Sequence, residues 1–373
     1  MRWKKSGSLA AVVLAIAAGS AHAQSYTVTE CGPAGWVSSR AYDINDRGVI
    51  VGGGLNGTAQ SRAFTRPYNG AATAMSPQVT TAYGVNLTGV AVAQGIPNSS
   101  WTVQGATLTP IPGLDGATQD VSAWDISDAG VVCGSSHQDQ PASTQKAFVW
   151  SGSGDPVDLG DLGGNASVAY GLNEAGTVVG ASRFTDGQVR AFVYRDGVMT
   201  DISGDSGGAA YAVNERGIVV GTLGGEAFMN DGANTLLGSL GDPSSGTAWA
   251  VNDFDSIVGE SDGKAFLYRR GVIHDLNDLI PSGSGWQLQA ARGINNHGEI
   301  IGYGVIGGLT KAFLLSPTCT ADFDENGQVD FFDYLDFVMR FAEESPIADF
   351  DRNGQLDFFD YLDFGIAFSA GCD

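Results

Sequence analysis

The sequence predicts a mainly β chain: a seven-bladed β-propeller of four-stranded repeats, each about 40 residues, then a small α-helical domain on a duplicated acidic loop. Three observations predict this. One unit of sequence recurs seven times. Each copy has room for four short strands and their turns. The last 55 residues, 319–373, abandon that unit for a different duplication.

The repeat is built on an aromatic, an apolar residue, Asn or Ser, an acidic residue and a Gly-Val-Val-Gly run. It reads AYDINDRGVIVGG from Ala41, AWDISDAGVVCGS from Ala123, AYGLNEAGTVVGA from Ala169 and AYAVNERGIVVGT from Ala210. AWAVNDFDSIVGE from Ala248 and ARGINNHGEIIGY from Ala291 continue the series, and a degenerate AYGVNLTGVAVAQ starts at Ala82. The starts are 41, 41, 46, 41, 38 and 43 residues apart. A second landmark follows in most copies, a basic residue before Ala-Phe: Arg62, Lys146, Arg190, Lys264 and Lys311. Glu226 stands in that place before Ala227-Phe228, and the degenerate copy has only Trp101 nearby.

Each element of the unit has a physical reason. Alternating apolar residues up to the Asn suit a half-buried strand, and the acidic-x-Gly that follows is a hairpin turn whose Gly tolerates positive φ. Val-Val-Gly, Ala-Phe-x-aromatic and Gly-Val-x-x-Asp supply the other strands. The last copy runs out after Phe313-Leu314-Leu315, whereas Ser25 to Thr29 is strand-like and precedes the first copy. That segment is expected to complete the seventh blade. Closure also removes the exposed sheet edges that promote aggregation.

Residues 1–23 read as a signal peptide: basic Arg2, Lys4 and Lys5, an apolar run from Leu9 to Ala18, and Ala21-His22-Ala23 before the cut. Export to the extracellular space or cell surface is expected, with no transmembrane segment. The chain carries 41 acidic and 19 basic residues, net −22, and 14 of the acidic ones but only Arg340 and Arg352 lie from Cys319 onward. Such a surface repels nucleic acid. Beyond residue 23 histidine occurs only at His137, His274 and His297, far apart in sequence, and no C-x-x-C pair exists. Most hydrolytic and zinc chemistry therefore has little to stand on.

Residues 322–333 and 349–360 are DFDENGQVDFFD and DFDRNGQLDFFD. Both place oxygen-bearing side chains at loop positions 1, 3, 5, 9 and 12, with Gly at 6 for the sharp turn, which is the spacing of an EF-hand calcium loop. The expected ligands are Asp322, Asp324, Asn326, Asp330 and Asp333 with the Gln328 carbonyl. The second set is Asp349, Asp351, Asn353, Asp357 and Asp360 with the Gln355 carbonyl. Two calcium ions are expected.

The remaining motifs favour structural roles. Gly204-Asp205-Ser206-Gly207-Gly208 matches the nucleophile motif of trypsin-like proteases, but it falls between repeats with no histidine in a matching context, so an inter-blade loop is expected. The bases before Ala-Phe are expected to pair with the recurrent Asp46, Asp128, Glu174, Glu215 and Asp253, rather than to bind anionic sugars. Tyr42, Tyr83, Trp124, Tyr170, Tyr211 and Trp249 are expected to pack between blades, with stacking on sugars as the alternative. Cys133 takes the place of Val179 and Val220 and is expected to be a buried free thiol. Cys31 has no evident mate, and its pairing with Cys133 stays open.

Ala41 to Leu315 resembles the bacterial extracellular HAF-repeat proteins, with Arg or Lys where that family often has His. The family implies export and little about activity. Cys319 to Asp373 resembles a type I dockerin, more narrowly the GC-type dockerin tails of planctomycete-like bacteria, on its duplicated loop with Asp at position 12, its Cys-x-Ala-Asp-Phe-Asp start and its Gly371-Cys372 end. The resemblance implies a domain at 319–373 after a propeller at 24–318, a cohesin-like or envelope protein partner, and a Cys319–Cys372 disulfide bracketing a unit too small for much core of its own. Where dockerins read their partner, at positions 10 and 11, this chain has Phe331-Phe332 and Phe358-Phe359. These rings are expected to form the small core, with an exposed docking patch as the alternative. The expected function is a non-catalytic surface, adhesion or scaffold-type binding protein whose propeller takes a glycan or protein ligand. The alternative is a tethered polysaccharide-degrading enzyme, a glycoside hydrolase or lyase, which needs two carboxylates at a scissile bond. A pair of acidic residues breaking the repeat inside the central funnel would be its mark.

Overall fold

A repeat folds as an antiparallel meander because its Asn pins the first turn. In the fifth copy Asn214 N–H donates to the Ile218 carbonyl at 3.1 Å, Gly217 N–H donates to the Asn214 carbonyl at 3.0 Å, and Asn214 Oδ1 accepts from Ile218 N–H at 2.8 Å. The strands Gly208–Val213 and Val219–Leu223 leave this turn, and Glu226–Asn230 and Asn234–Leu236 complete the sheet. The computed structural model describes residues 25–114, 116, 120–138 and 144–372. The expected leader and its cleavage point lie outside them.

Among the described residues the strands form five four-stranded antiparallel sheets and one eight-stranded sheet. The latter joins the first two repeats through a single Gly53–Thr81 pair. The fold is mainly β and propeller-like, with a small C-terminal helical region. Tyr26–Glu30 pairs with Leu309–Pro317, Tyr26 opposite Pro317 and Glu30 opposite Phe313. The N-terminal strand thus fills the place that the last repeat leaves empty, as expected.

Packing explains the two landmarks. Phe64, Phe148, Phe192, Phe228, Phe266 and Phe313 and the alanine before each are fully buried, each ring worth roughly 1.5–3 kcal/mol of burial. The ring lies against the glycine of Val-Val-Gly on the neighbouring strand. A Cβ at Gly180 would sit 2.8 Å from the Phe192 ring and 2.0 Å from the Val168 carbonyl oxygen, so only glycine fits. The degenerate copy changes both members, pairing Ala93 with Trp101. Apolar layers lie between successive sheets: Cys133 and Ala147 meet Ala169 and Phe192, and Ile301 and Ala312 of the last repeat meet Ala41 and Phe64 of the first.

The C-terminal region carries two helices, α1 (Phe331–Ala342) and α2 (Phe358–Ala370). Asp330 and Asp357 are their N-caps, accepting from Phe332 and Phe359 N–H, and Asp333 and Asp360 reach back to complete reciprocal capping boxes. The phenylalanine expectation is corrected here. The core is Phe323, Phe337 and Phe364 with Ile347 and Ala348, and Phe337 stacks on Phe364 at 4.0 Å. Phe331, Phe332, Phe358 and Phe359 are 62%, 64%, 69% and 62% exposed. The cause is helical period: the inward stripes run through Asp333 and Phe337 and through Asp360 and Phe364, and the preceding pairs fall off them. The Cα atoms of Cys319 and Cys372 are 5.4 Å apart and their sulfurs are bonded. Cys31 and Cys133 are buried and free.

Candidate functional site

In the first acidic loop the carboxylates of Asp322, Asp324 and Asp333 converge, each offering an oxygen within 4.8 Å of the others, and Asp349, Asp351 and Asp360 repeat this in the second. Left-handed Gly327 and Gly354, at φ 79° and 85°, turn each loop so that their N–H groups donate to Asp322 Oδ2 at 2.7 Å and Asp349 Oδ2 at 2.8 Å. The other oxygen of each, Oδ1, is buried without a hydrogen-bond partner. Such an atom calls for a ligand, because an unpaired buried acceptor costs about 1–3 kcal/mol. Burial and the neighbouring Asp324 and Asp322 push Asp333 up to about 6, and burial likewise raises Asp322 and Asp349. Three crowded carboxylates with oxygen to spare suit a hard cation that takes six to eight oxygens.

The expected ligands do not all converge. Asp330 and Asp357 spend an oxygen capping the helices. Asn326 and Asn353 donate through Nδ2 to Asp324 Oδ2 and Asp351 Oδ2 and accept through Oδ1 from Gln328 and Gln355 N–H.

Both loops lie against the propeller, which the sequence reading did not anticipate. Position 4 of each loop does the docking. Glu325 accepts from Ser256 Oγ at 2.6 Å and Asn252 Nδ2 at 3.2 Å, and Arg352 donates to Glu299 Oε2 at 2.6 Å. Ser256 and Glu299 occupy equivalent positions of the last two repeats, four residues past the turn Asn, where earlier copies have Val49, Val90, Val131, Thr177 and Ile218. Phe254 meets Phe323 edge-on at 6.3 Å, and Arg270 donates to the Asn326 carbonyl at 2.5 Å. The departure of Ser256 and Glu299 from an apolar consensus was the available signal.

The expected ion pairs are corrected. Lys146 pairs with Asp161, Arg190 with Asp201 at 2.9 Å and Asp186 at 2.8 Å, Lys264 with Asp275 and Lys311 with Glu30, both at 3.0 Å. The bases open the third strand and the recurrent acids open the second, so the two sets sit at opposite ends of a sheet about 17–20 Å long. The acids instead accept from the preceding copy's backbone: Glu215 N–H donates to Asp253 Oδ1 at 3.0 Å and Glu174 N–H to Glu215 Oε1 at 2.8 Å. A parallel ladder of turn asparagines joins successive repeats at six of the seven junctions, the exception following Ser127, which replaces the asparagine in the third copy. It includes Asn214 Nδ2 to the Asn252 carbonyl at 2.9 Å and Asn295 Nδ2 to the Asn45 carbonyl at 3.2 Å, which links the last copy to the first.

The recurrent aromatics do pack between repeats. Tyr42, Tyr83, Trp124, Tyr170, Tyr211 and Trp249 form a chain of ring contacts with centroids 4.5–5.7 Å apart. Arg292, at the seventh equivalent position, closes the circle 3.5 Å from the Trp249 centroid and 5.5 Å from that of Tyr42. Together they line a half-open cavity of about 370 Å³ that also receives Asp43 and Asp125. These two acids replace the Gly or Ala of the other copies, a break the sequence reading passed over. Each takes two backbone N–H groups, one its own neighbour's and one from another repeat: Asp43 from Ile44 at 2.8 Å and Val85 at 2.7 Å, Asp125 from Ile126 at 2.8 Å and Leu172 at 3.1 Å. Burial and the nearby Asp125 push Asp43 up to about 7, and burial pushes Asp125 up to about 6. Gly204–Ser206 is a short 3₁₀ turn between sheets, as expected, and Asp205 pairs with Arg190 at 3.3 Å.

A family model described as a protein of unknown function, DUF3466, matches residues 107–338. The chain belongs to that family. In this DUF3466 protein the match runs from the second repeat into α1. No curated protein matches it. Among solved structures, the WD40 repeats of RRP9 share 10% identity at a TM-score of 0.53, over 79% of this chain and 99% of that one. A puromycin hydrolase shares 12% at 0.53, over 78% of this chain and 52% of that one, so the DUF3466 chain spans about half its length. YCF48 bound to D1 peptide shares 14% at 0.48, over 78% and 94%. Likeness at this identity extends to the propeller-like fold alone. Among the described residues no helix is long and apolar enough to cross a membrane.

Proposed function

We propose that this DUF3466 protein is an exported, non-catalytic binding protein: a closed seven-bladed propeller whose dockerin-like tail holds two calcium ions and serves attachment or sorting at the cell envelope. The reading is carried by one observation, the two carboxylate triplets that each keep a buried, unpartnered oxygen on Asp322 or Asp349. Asp322, Asp324 and Asp333, and Asp349, Asp351 and Asp360, would hold the ions, whose charge would relieve the crowding within each triplet. The seven-blade reading rests on the seven copies and on the asparagine ladder that returns from Asn295 to Asn45. Attachment is supported by the paired exposed phenylalanines at the starts of α1 and α2. Apolar side chains that exposed serve solubility poorly and suit a partner protein; a cohesin-like one fits the resemblance.

The test is calorimetric titration of the chelator-stripped chain with calcium, beside a pull-down of envelope proteins and glycans in calcium and in EDTA. Two equivalents of calcium, and a partner lost in EDTA or on Phe331→Ser with Phe358→Ser, are expected. Absence of calcium binding would overturn the reading of the tail.

A second reading, degradation of polysaccharide in the central cavity, has its own observation. Asp43 and Asp125 break the repeat there, with carboxyls raised toward neutrality. Their double backbone hydrogen bonds favour a structural role. Reducing-sugar or unsaturated-product release that is abolished by Asp125→Asn would favour the enzyme.

A further inference from the structure

We propose that the aromatic cavity binds a hexuronate, a sugar carrying one carboxylate, with Arg292 as the residue that selects the charge. This rests on the reading that the propeller is a binding module and names its ligand class.

Six of seven equivalent positions present an aromatic ring and the seventh presents a guanidinium. An all-aromatic ring would be a cage for a cation, but the Arg292 guanidinium already sits over the Trp249 ring and takes that place. Among the described residues Arg292 makes no ion pair and no hydrogen bond to protein, and its Nε is buried without a partner. A half-buried guanidinium has five donors in a rigid fork, whose natural complement is a carboxylate gripped by two of them. The indole N–H groups of Trp124 and Trp249 are buried and unpartnered as well. The wall therefore holds three unpartnered donor groups of two kinds, guanidinium and indole, among ring faces and the carboxyls of Asp43 and Asp125.

A ligand that fits must bring acceptors, a single negative charge and an apolar face for the rings. A sugar acid has all three: carboxylate oxygens for Arg292, ring and hydroxyl oxygens for the indoles, and C–H faces that stack on Tyr and Trp. Asp43 and Asp125 refine the choice. Each carboxyl is fastened by backbone N–H groups and can still accept from a hydroxyl, but it repels a second negative charge. That disfavours phosphorylated or dicarboxylic ligands. At about 370 Å³ the cavity lies near the small end of ligand pockets, roughly 300–1,000 Å³, so one sugar residue enters rather than a folded chain.

The experiment is calorimetry and tryptophan fluorescence on the full chain in calcium. Ligands are D-galacturonate and D-glucuronate, their neutral parents galactose and glucose, a short oligogalacturonate and tetramethylammonium. Uronates are expected to bind at least about tenfold more tightly than the neutral sugars. Stronger binding of the oligomer would assign the site to a polysaccharide end, and equal binding to a free sugar acid. Arg292→Tyr restores the aromatic consensus and should keep the melting temperature while erasing that preference; Arg292→Lys should retain part of it. Equal binding of charged and neutral sugars, a preference for tetramethylammonium, no binding of any uronate, or an unchanged preference in Arg292→Tyr would overturn the proposal. The envelope pull-down is read independently, so a propeller that retains a partner but ignores uronates leaves the binding reading standing.

Discussion

Replacing Arg352 with methionine would leave the Glu299 carboxylate buried against the tail with only the Asn295 amide beside it. The native pair is 2.6 Å apart, with side chains 8% and 5% exposed, and Glu299 Oε2 also accepts from Asn295 Nδ2 at 2.9 Å. Removing one partner of a buried ion pair costs about 3–5 kcal/mol, because the other charge stays desolvated. The loss of the guanidinium over Tyr68, 4.5 Å from its centroid, adds about 0.5–1 kcal/mol. Undocking of the tail should then rise at least about 100-fold, a factor of ten for each 1.4 kcal/mol. The remaining contacts, Glu325 with Ser256 and Phe254 with Phe323, set the ceiling. Hydrogen exchange measures this directly at the Asn295–Glu299 turn and in the segment between Thr318 and Asp324. The companion Glu299→Val installs the residue found at Val49, Val90 and Val131. Combined with Arg352→Met it leaves no stranded charge, so most of the protection should return, with a coupling of about 2–3 kcal/mol. Additive effects in the double variant, or protection within threefold of wild type in Arg352→Met, would refute a docked tail held by this pair.

Asn214→Ala should destabilise the propeller by about 1–3 kcal/mol in denaturant titration, since it strands the Ile218 N–H in a buried turn and leaves the Asn252 carbonyl with the Asp255 N–H alone. Substitution of the exposed Thr58 should be near neutral in the same titration. Cys31 is pushed up to about 12 by burial and Cys133 is raised well above the usual thiol range by the same cause, so neither thiol should react with a disulfide reagent at pH 8 until the chain is unfolded, when two should. Prompt reaction of either would contradict the buried placement. Asp43 and Asp125 have folded pKa values raised to about 7 and about 6, against an unfolded value near 3.9. The folded state therefore binds more protons between roughly pH 4 and 7, and their contribution makes stability fall as pH rises through that window. In calcium-saturated chain the melting temperature of Asp43→Asn should decline less between pH 5 and 8 than that of wild type; parallel slopes would show that Asp43 does not titrate there.

The sequence alone was enough for the repeat, its four strands, the closing role of the N-terminal strand and the two acidic loops. Each of these is written locally: a turn asparagine and the glycine that faces Phe192 constrain neighbours within a few tens of residues, and the pattern repeats until it is plain. The convergence of Asp322, Asp324 and Asp333 was legible for the same reason, because one tight loop brings them together. Contacts between repeats were not. That Lys146 meets Asp161 while the recurrent acids clasp a neighbour's backbone depends on which end of a sheet each occupies, and that follows from the strand path. The phenylalanine pairs were misjudged because composition says how much apolar surface a small domain has, whereas helical phase decides which of it is turned inward. Arg292, Asp43, Asp125, Ser256 and Glu299 all stood in the sequence as departures from a consensus. Only the closed ring and the docked tail gave those departures a place, because the groups they meet lie one repeat away or on another domain, where no local rule of strand or turn can reach.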